Sequence, residues 1–238
     1  MKLLDDLSVK IFADGADLGG IREMCRRPYI KGFTTNPTLM RRAGVPDYRA
    51  FARAVLEVVP DRPVSFEVLA DDFGGMERQA QEIASWGRNV YVKIPVTNTR
   101  GEPANALIGR LSRAGVKVNV TALLSIEQVR DVAEAVAGGA PAFVSVFAGR
   151  VADTGRDPVP IMAEAVELLR HAPNAELIWA SPRELLNIFH ANQVGCHIIT
   201  VTGDILAKLS LVGTDLKAYS LDTVRMFYND ATTAGFEL

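Results

Sequence analysis

The stretch NVYVKIPVTN, residues 89–98, combines a strand-forming pattern with a charged residue in its middle. Its β-branched and aromatic residues predict a buried β-strand, made of Val90, Tyr91, Val92, Ile94 and Val96. Lys93 interrupts this run, and burial of an ammonium group is costly unless the group is paired or neutral. Pro95 lacks a backbone donor, so it belongs at the exit of the strand. We therefore expect Lys93 to lie near the end of a buried strand, in a functional site.

Similar strand patterns recur along the chain, separated by amphipathic helical stretches. The predicted strands are 9–14, 31–36, 63–69, 90–96, 117–123, 142–148, 176–181 and 196–202. Eight such units in about 250 residues are typical of a closed (β/α)8 TIM barrel, an α/β fold. An open doubly wound sheet is the alternative, but no G-x-G-x-x-G fingerprint follows a strand. We expect residues 1–238 to form a single barrel domain.

An additional helix is predicted beyond the eighth unit, at residues 220–236. One face of this helix is apolar and carries Leu221, Val224, Phe227, Tyr228 and Ala231. This face could pack on its own barrel or on a neighbouring subunit, and the sequence leaves both alternatives open.

Composition excludes several classes of protein. The 26 Lys and Arg residues against 28 Asp and Glu residues do not indicate a nucleic-acid-binding surface. The N-terminus lacks a signal-peptide core and no run of about 18 apolar residues occurs, so no membrane span is expected. The two cysteines, Cys25 and Cys196, do not have the spacing of a disulfide pair or of metal ligands. The three histidines also lack the spacing of metal ligands; they are His171, His190 and His197. We expect a soluble cytoplasmic protein without a metal or cofactor.

Polar residues stand near the carboxyl ends of seven consecutive predicted strands, where barrels of this kind place their chemistry. They are Asp14, Asn36, Glu67, Lys93, Asn119 with Thr121, Ser145 and Ser181. Independent strand-end caps are the alternative explanation. A polar group at a similar depth on each strand favours a shared site.

Lys93 is the most informative of these residues. If Val92 and Ile94 face the helices, Lys93 faces the barrel interior, beside Glu67 of the neighbouring strand. A structural ion pair between Lys93 and Glu67 is one explanation, but buried pairs seldom stabilise a fold more than apolar packing does. A desolvated lysine amine is a nucleophile toward carbonyl groups. We therefore favour a catalytic role for Lys93.

Seven segments stand in an order and spacing shared with a known family. They are FADGAD, GFTTNPTL, SFEV, VYVKIPVT, VNVTALLS, VSVFAGRVAD and WASPREL. TTNPT and VKIPVT are each fairly specific, and all seven in order are very specific. Over nearly its whole length the chain resembles the small-subunit transaldolases, a group that also contains fructose-6-phosphate aldolase.

This resemblance implies a Schiff-base mechanism. Lys93 would form the imine with a ketose carbonyl, and Asp14 would be the acid and base at the hydroxyl whose deprotonation drives carbon–carbon cleavage. Glu67 and Thr121 would hold the water used in dehydration and hydrolysis. The substrate would be bound by Asn36, Asn119 and Ser145 at the dihydroxyacetone unit, by Phe147 in the pocket wall, and by Arg150, Ser181 and Arg183 at the sugar phosphate. A surface salt bridge is the alternative for each arginine.

Three residues match the transaldolases of the family rather than the aldolase. Glu67 and Phe147 stand where the aldolase has Gln and Tyr, and Arg183 stands where it has Lys. They favour transfer of a dihydroxyacetone unit from fructose 6-phosphate or sedoheptulose 7-phosphate to an aldose phosphate, as in the pentose phosphate pathway. The alternatives are an aldolase that releases free dihydroxyacetone, an enzyme of an unusual-sugar pathway, and a barrel that has lost catalysis and serves as a binding or assembly module. Gly15 and Pro182 depart from the family pattern and bear on the choice of sugar.

The resemblance also implies a quaternary structure. Small members of the family assemble as rings of five subunits or pairs of rings through a C-terminal helix. We therefore expect a pentamer or decamer with subunit contacts through residues 220–236.

Overall fold

The computed structural model describes residues 6–236, and over this span eight parallel strands close into a barrel in chain order. They are β1 (Lys10–Asp14), β2 (Ile30–Thr34), β3 (Val64–Glu67), β4 (Val90–Pro95), β5 (Val118–Leu123), β6 (Ala142–Val146), β7 (Ala175–Trp179) and β8 (Ile198–Thr202). The (β/α)8 TIM barrel is confirmed. The predicted strands 31–36 and 142–148 were too long, because Asn36 and Phe147 already occupy the N-cap positions of the following helices.

Helices follow the strands on the outside of the barrel. They are α1 (Leu18–Cys25), α2 (Pro37–Arg42), α3 (Tyr48–Val58), α4 (Phe73–Ala84), α5 (Asn105–Arg113), α6 (Ile126–Val136), α7 (Ala148–Asp153), α8 (Pro158–Leu169), α9 (Leu186–Gln193) and α10 (Gly203–Leu206), with a 3₁₀ turn at Ala207–Leu211. Aspartate caps start several of them: the side chains of Asp17, Asp47 and Asp72 each accept a hydrogen bond from a first-turn N–H. These bonds satisfy donors that a helix start leaves free.

The strand side chains alternate between the helix layer and the barrel interior, as predicted for β4. Val92 and Ile94 are buried in the layer shared with the helices, whereas Tyr91 belongs to a separate interior cluster. We call this cluster the floor; it consists of Phe12, Tyr91, Phe143, Ile178, Ala180 and Ile198. Lys93 shares the parity of Tyr91 and so points into the same interior, one layer higher.

Aromatic rings fill the floor. Tyr91 and Phe143 stack with their ring centroids 3.8 Å apart, and the edge of Phe12 meets Phe143 at 5.7 Å. Gly32 faces Phe12, and a Cβ atom at position 32 would lie 2.5 Å from the Phe12 ring. The interior below the strand ends is therefore packed with side chains rather than open.

The last helix, α11 (Leu216–Ala234), begins at the cap Asp215 and ends at Gly235 in the left-handed conformation. None of its residues is buried, and Phe227 and Tyr228 are 63% and 72% exposed. The predicted C-terminal helix is therefore present, and it starts four residues earlier than expected. The alternative in which its apolar face packs on its own barrel is wrong.

None of the helices within residues 6–236 has both the length and the apolar character needed to cross a lipid bilayer.

Candidate active site

Lys93 lies at the carboxyl end of β4 with its side chain 8% exposed. Its Nζ atom is 3.1 Å from Glu67 Oε2 and donates a hydrogen bond of 2.8 Å to the carbonyl of Thr35. Glu67 is the register partner of Lys93 on β3. A buried ammonium is thus held between one carboxylate and one carbonyl, the pairing that burial requires.

Asp14 ends β1 on the opposite side of the interior. Its carboxylate accepts hydrogen bonds from Thr34 Oγ1 at 2.8 Å and from Asn36 Nδ2 at 3.4 Å. Burial raises the pKa of Asp14 above its ordinary value, and the nearby positive charge of Lys93 and the Thr34 bond only partly oppose this. The negative charge of Glu67 adds to the increase. Asp14 therefore binds a proton more readily than an exposed aspartate does.

Asn36 has two functions in the structure. Its amide nitrogen donates to Asp14, while its carbonyl oxygen caps α2 by accepting from Leu39 N at 2.9 Å. The strand-end cap that was the alternative explanation is therefore present at this position. It coexists with a contact to Asp14.

Asn119 and Ser145 form a buried amide–hydroxyl chain across β3, β5 and β6. Ser145 Oγ donates to Asn119 Oδ1 at 2.7 Å, and Asn119 Nδ2 donates to Ser65 Oγ at 3.0 Å. All three side chains are buried. The chain fixes which amide atom faces which neighbour, and so orients Asn119 at the mouth, by which we mean the carboxyl end of the barrel interior.

Thr121 lies at an irregularity in β5. The β5–β6 register shifts between Val120 and Leu123, and Ala122 adopts a φ of 67°, which is uncommon for a residue with a side chain. Such a bulge redirects the neighbouring side chains. The buried Thr121 hydroxyl has no hydrogen-bond partner within the described part of the chain.

The two predicted phosphate-binding arginines differ in their contacts. Arg183 forms a bidentate pair with Asp153, with Nε 2.8 Å from Oδ1, and its Nη1 donates to Ser181 Oγ at 2.9 Å. This hydrogen bonding holds the pKa of Asp153 below its ordinary value. Arg150 is exposed, with its guanidinium 5.8 Å from the centre of the Phe147 ring. For Arg183, the surface salt bridge considered as the alternative is therefore present.

The exits of β6 and β7 approach each other closely at Gly149. Ser181 has a φ of 60°, and a Cβ atom at position 149 would lie 1.6 Å from the Ser181 carbonyl oxygen. Glycine is therefore required at position 149. Because residue 149 has no side chain, the two loops can lie side by side at the mouth, and they carry Arg150, Ser181 and Arg183.

A cavity of about 1090 Å³ opens beside Asp14, between β1, α1 and the segment after β8. Its wall includes Gly15, Arg27, Arg42 and Asp204. A Cβ atom at Gly15 would meet nothing within 4 Å, so the space beside Asp14 is open at this point. Among the residues that the structure describes, no cluster of three or more His, Cys, Asp or Glu side chains could hold a metal ion.

Several residues of the site were not singled out from the sequence. Thr34 bonds to Asp14 and contacts the hydroxyl of Thr200, and Ser65 bonds to Asn119. A signal was available for Thr34 and Ser65, because they lie two residues before Asn36 and Glu67 and so share their inward direction. The Thr35 carbonyl is a backbone atom and has no sequence signal.

The sequence of the chain is similar to that of one known protein family. The family model for Transaldolase/Fructose-6-phosphate aldolase matches residues 11–238. A probable transaldolase of Dehalococcoides mccartyi is 35% identical over 202 residues, which cover 84% of this chain and 90% of the relative. A probable transaldolase of a Thermoanaerobacter species is 34% identical over 204 residues, 84% of this chain and 89% of the relative.

Solved structures share the barrel at low sequence identity. An HpcH/HpaI aldolase/citrate lyase family protein from Burkholderia cenocepacia aligns with a TM-score of 0.59 and 13% identity, over 94% of this chain and 98% of its own. The 3-hexulose-6-phosphate synthase of Salmonella typhimurium aligns with a TM-score of 0.56 and 18% identity, over 84% and 91% of the two chains. These similarities show the fold alone. The match to the family model and the relatives above 30% identity show more: this chain belongs to the transaldolase/fructose-6-phosphate aldolase family.

Proposed function

We propose that the protein is a transaldolase that works through a Schiff base on Lys93. It would transfer a dihydroxyacetone unit from fructose 6-phosphate or sedoheptulose 7-phosphate to an aldose phosphate such as erythrose 4-phosphate. The observation that carries this proposal is the buried Lys93 amine, which lies 3.1 Å from the Glu67 carboxylate. Its positive charge also partly opposes the rise in the pKa of Asp14 that burial causes. Two carboxylates around one amine are what retro-aldol chemistry on an imine requires.

Imine formation begins with proton transfer from the Lys93 ammonium to Glu67. The free amine adds to the ketose carbonyl, and a proton shift gives the carbinolamine. Glu67 then returns its proton to the carbinolamine hydroxyl, which leaves as water, and a protonated imine remains. Thr121, whose buried hydroxyl bonds to no other group among residues 6–236, would hold this water.

Carbon–carbon cleavage uses the second carboxylate. Asp14 takes the proton of the C4 hydroxyl, the C3–C4 bond breaks, and its electron pair moves into the imine to give an enamine. The aldehyde product leaves with the phosphate. The raised pKa of Asp14 makes its carboxylate a stronger base for this step.

Transfer reverses these movements on a new acceptor. The enamine carbon attacks the acceptor aldehyde, and Asp14 gives its proton to the oxygen that becomes a hydroxyl. Water activated by Glu67 then hydrolyses the imine, releasing the new ketose phosphate and Lys93. The protonated imine is the electron sink, so the reaction requires no metal or redox cofactor.

Substrate binding is assigned to the polar residues around the mouth. Asn36, Asn119 and Ser145 would bond to the hydroxyls of the dihydroxyacetone unit, while Phe147 forms part of the wall. Arg150, Ser181 and Arg183 would bind the phosphate. The exposed Arg183–Asp153 pair contributes little stability, so a dianionic phosphate can replace Asp153 at low cost.

Transfer is favoured over simple release by the residues that match the transaldolases. Glu67, Phe147 and Arg183 support the transferase, and the aldolase that releases dihydroxyacetone remains the second candidate. The open space beside Gly15 supports a variant of the reaction with an unusual sugar.

A homo-oligomer is part of the proposal. One face of α11 is apolar and exposed to solvent, and this supports subunit contacts through residues 220–236. Burial of this face in a pentamer or decamer would remove exposed apolar surface from water.

Borohydride trapping tests the proposed function. The protein is incubated with fructose 6-phosphate and borohydride, with and without erythrose 4-phosphate, and the modified peptide is mapped by mass spectrometry. We expect a reduced adduct on Lys93 that diminishes when the acceptor is present. Lys93→Ala should give no adduct, whereas Lys31→Ala, which removes an exposed lysine that bonds to a carbonyl, should give the full adduct. An adduct on another lysine, or its persistence in Lys93→Ala, would contradict the mechanism.

A further inference from the structure

The hydrogen-bond ladder between β2 and β3 stops one step before the catalytic residues. Phe33 N donates to Pro63 O at 2.8 Å, and Thr35 N donates to Ser65 O at 3.2 Å. Bonds in a parallel ladder are evenly spaced. The next bond in this series would therefore run from the Glu67 N–H to the Thr35 carbonyl.

A different set of bonds forms at this step. The Thr35 carbonyl accepts from Lys93 Nζ at 2.8 Å, and the Glu67 N–H donates to the Tyr48 hydroxyl at 2.7 Å. The same hydroxyl donates to the Glu67 carbonyl at 2.8 Å. Tyr48 thus satisfies both backbone groups of Glu67, and the Thr35 carbonyl is left to Lys93.

Tyr48 is well fixed for this purpose. It is the first residue of α3, and its ring meets Phe66 and Trp86 edge-on with centroid distances of 6.4 and 5.8 Å. Burial raises the pKa of the Tyr48 hydroxyl, so the group keeps its proton and can donate and accept at once.

We propose that Tyr48 is a positioning residue for the Lys93–Glu67 pair. Its hydroxyl takes the place of the missing ladder bond and reserves the Thr35 carbonyl as an acceptor for the Lys93 ammonium. It also fixes the backbone from which the Glu67 carboxylate projects. The inference rests on the proposed function only in that Lys93 is the reacting amine.

Removal of the hydroxyl has a specific consequence. In Tyr48→Phe the Glu67 N–H loses its partner, and the Thr35 carbonyl is the nearest acceptor in the ladder. If the ladder closes, the Thr35 carbonyl is taken by the Glu67 N–H, and the Lys93 amine loses the hydrogen bond that holds it in place. The amine should then be more accessible to a small reagent.

Gln79, on α4, provides a matched control at the same strand exit. Its Oε1 accepts from Leu69 N at 2.7 Å and from Ala70 N at 2.8 Å, so it also ties the exit of β3 to a helix. Within the described residues it forms no hydrogen bond to Glu67 or to the Thr35 carbonyl. Gln79→Leu therefore reports a general loosening of this exit.

The experiment measures Lys93 reactivity without a sugar. The parent, Tyr48→Phe and Gln79→Leu are reductively methylated with formaldehyde and dimethylamine–borane over a range of pH, and the Lys93 peptide is quantified by mass spectrometry. We expect Lys93 in Tyr48→Phe to react about tenfold faster than in the parent, because one hydrogen bond no longer holds its amine. Gln79→Leu should follow the parent throughout.

Two results would overturn the inference: a Tyr48→Phe profile that coincides with the parent's at every pH, or an equal acceleration in Gln79→Leu. Tyr48→Phe removes one hydroxyl and keeps the ring, so we expect it to fold, and circular dichroism checks this. Sugar trapping of the parent is run in parallel. Absence of a sugar adduct with a shifted methylation profile would reject the proposed function and retain the role of Tyr48.

Discussion

The floor and the mouth of the barrel are built from the same strands, yet they differ in almost every physical property. Phe12, Tyr91 and Phe143 form the aromatic floor. Two residues further along the same strands stand Asp14, Lys93 and Ser145, which are held by ion pairs and hydrogen bonds. A step of two strand residues is about 6.6 Å. Within that distance the interior changes from apolar packing to a set of partly desolvated charges.

The floor contributes to the stability of the fold, whereas the mouth carries the groups proposed for the chemistry. Buried apolar rings stabilise the fold through the area they remove from water. The mouth holds groups whose burial is unfavourable, as the raised pKa of Asp14 indicates. Substitutions in the floor should therefore act on the free energy of unfolding, and substitutions in the mouth on turnover.

Lys93→Ala should give the largest effect and the clearest separation. If Lys93 is the nucleophile proposed above, we expect a loss of turnover of at least about 10⁴-fold, the size seen when catalytic nucleophiles are removed, with a melting temperature close to that of the parent. Steady-state kinetics with fructose 6-phosphate and erythrose 4-phosphate and thermal unfolding provide the two measurements. Lys31→Ala is the control, and parent-like turnover in Lys93→Ala would remove the lysine from the mechanism.

Asp14→Asn should lower turnover about 10²- to 10⁴-fold while still forming the trapped imine. It should also raise stability. Burial raises the native pKa of Asp14, so the native state binds this proton more tightly than the unfolded chain does. The free energy of unfolding therefore falls as pH rises from the unfolded-chain pKa to the native pKa, a pH range that we call the window. Asp14→Asn lacks this loss, so its gain in free energy of unfolding over the parent should grow with pH across the window.

Denaturant unfolding at several pH values measures the advantage of Asp14→Asn. A variant that is less stable than the parent above the window would contradict the assignment of burial as the main cause of the shift.

Phe143→Ala tests the floor. The ring is fully buried between Phe12 and Tyr91, so its loss should lower the free energy of unfolding by about 3–5 kcal/mol. The folded fraction should retain its KM for the ketose phosphate, as measured by kinetics below the melting transition. An unchanged free energy of unfolding with a large loss of turnover would contradict the assignment of stability to the floor and of chemistry to the mouth.

Arg183→Leu tests the loop after β7, at the edge of the mouth, and should have the smallest effect on activity. We expect the KM for a phosphorylated ketose to rise about tenfold with little change in kcat, the loss of one charge-assisted contact. Asp153→Asn is the matched control, because it breaks the same ion pair but keeps the arginine. Equal KM increases in both variants would mean that the pair is structural.

Much of the architecture could be predicted from strand patterns alone. Period-two alternation in β4 placed Val92 and Ile94 outward and Lys93 inward, and the structure agrees. The lysine–glutamate pair could also be anticipated, because Glu67 and Lys93 end neighbouring strands at equal depth. These features depend on local patterns and on chain order.

The rest depends on contacts that no local pattern encodes. The role of Tyr48 has no local signal, because its hydroxyl bonds to Glu67 only where the β2–β3 ladder stops. The pairing of Arg183 with Asp153 joins residues 30 positions apart. The burial of α11 was open, because an apolar helix face does not reveal whether it packs on its own barrel.

Gly149 has a consequence for anyone who redesigns this protein. Because a Cβ atom there would collide with the Ser181 carbonyl, the loops after β6 and β7 cannot be varied independently. Libraries that randomise position 149 while keeping the Ser181 loop would consist mostly of misfolded members. Productive libraries would exchange both loops together as one cassette and leave the remaining six strand exits unchanged.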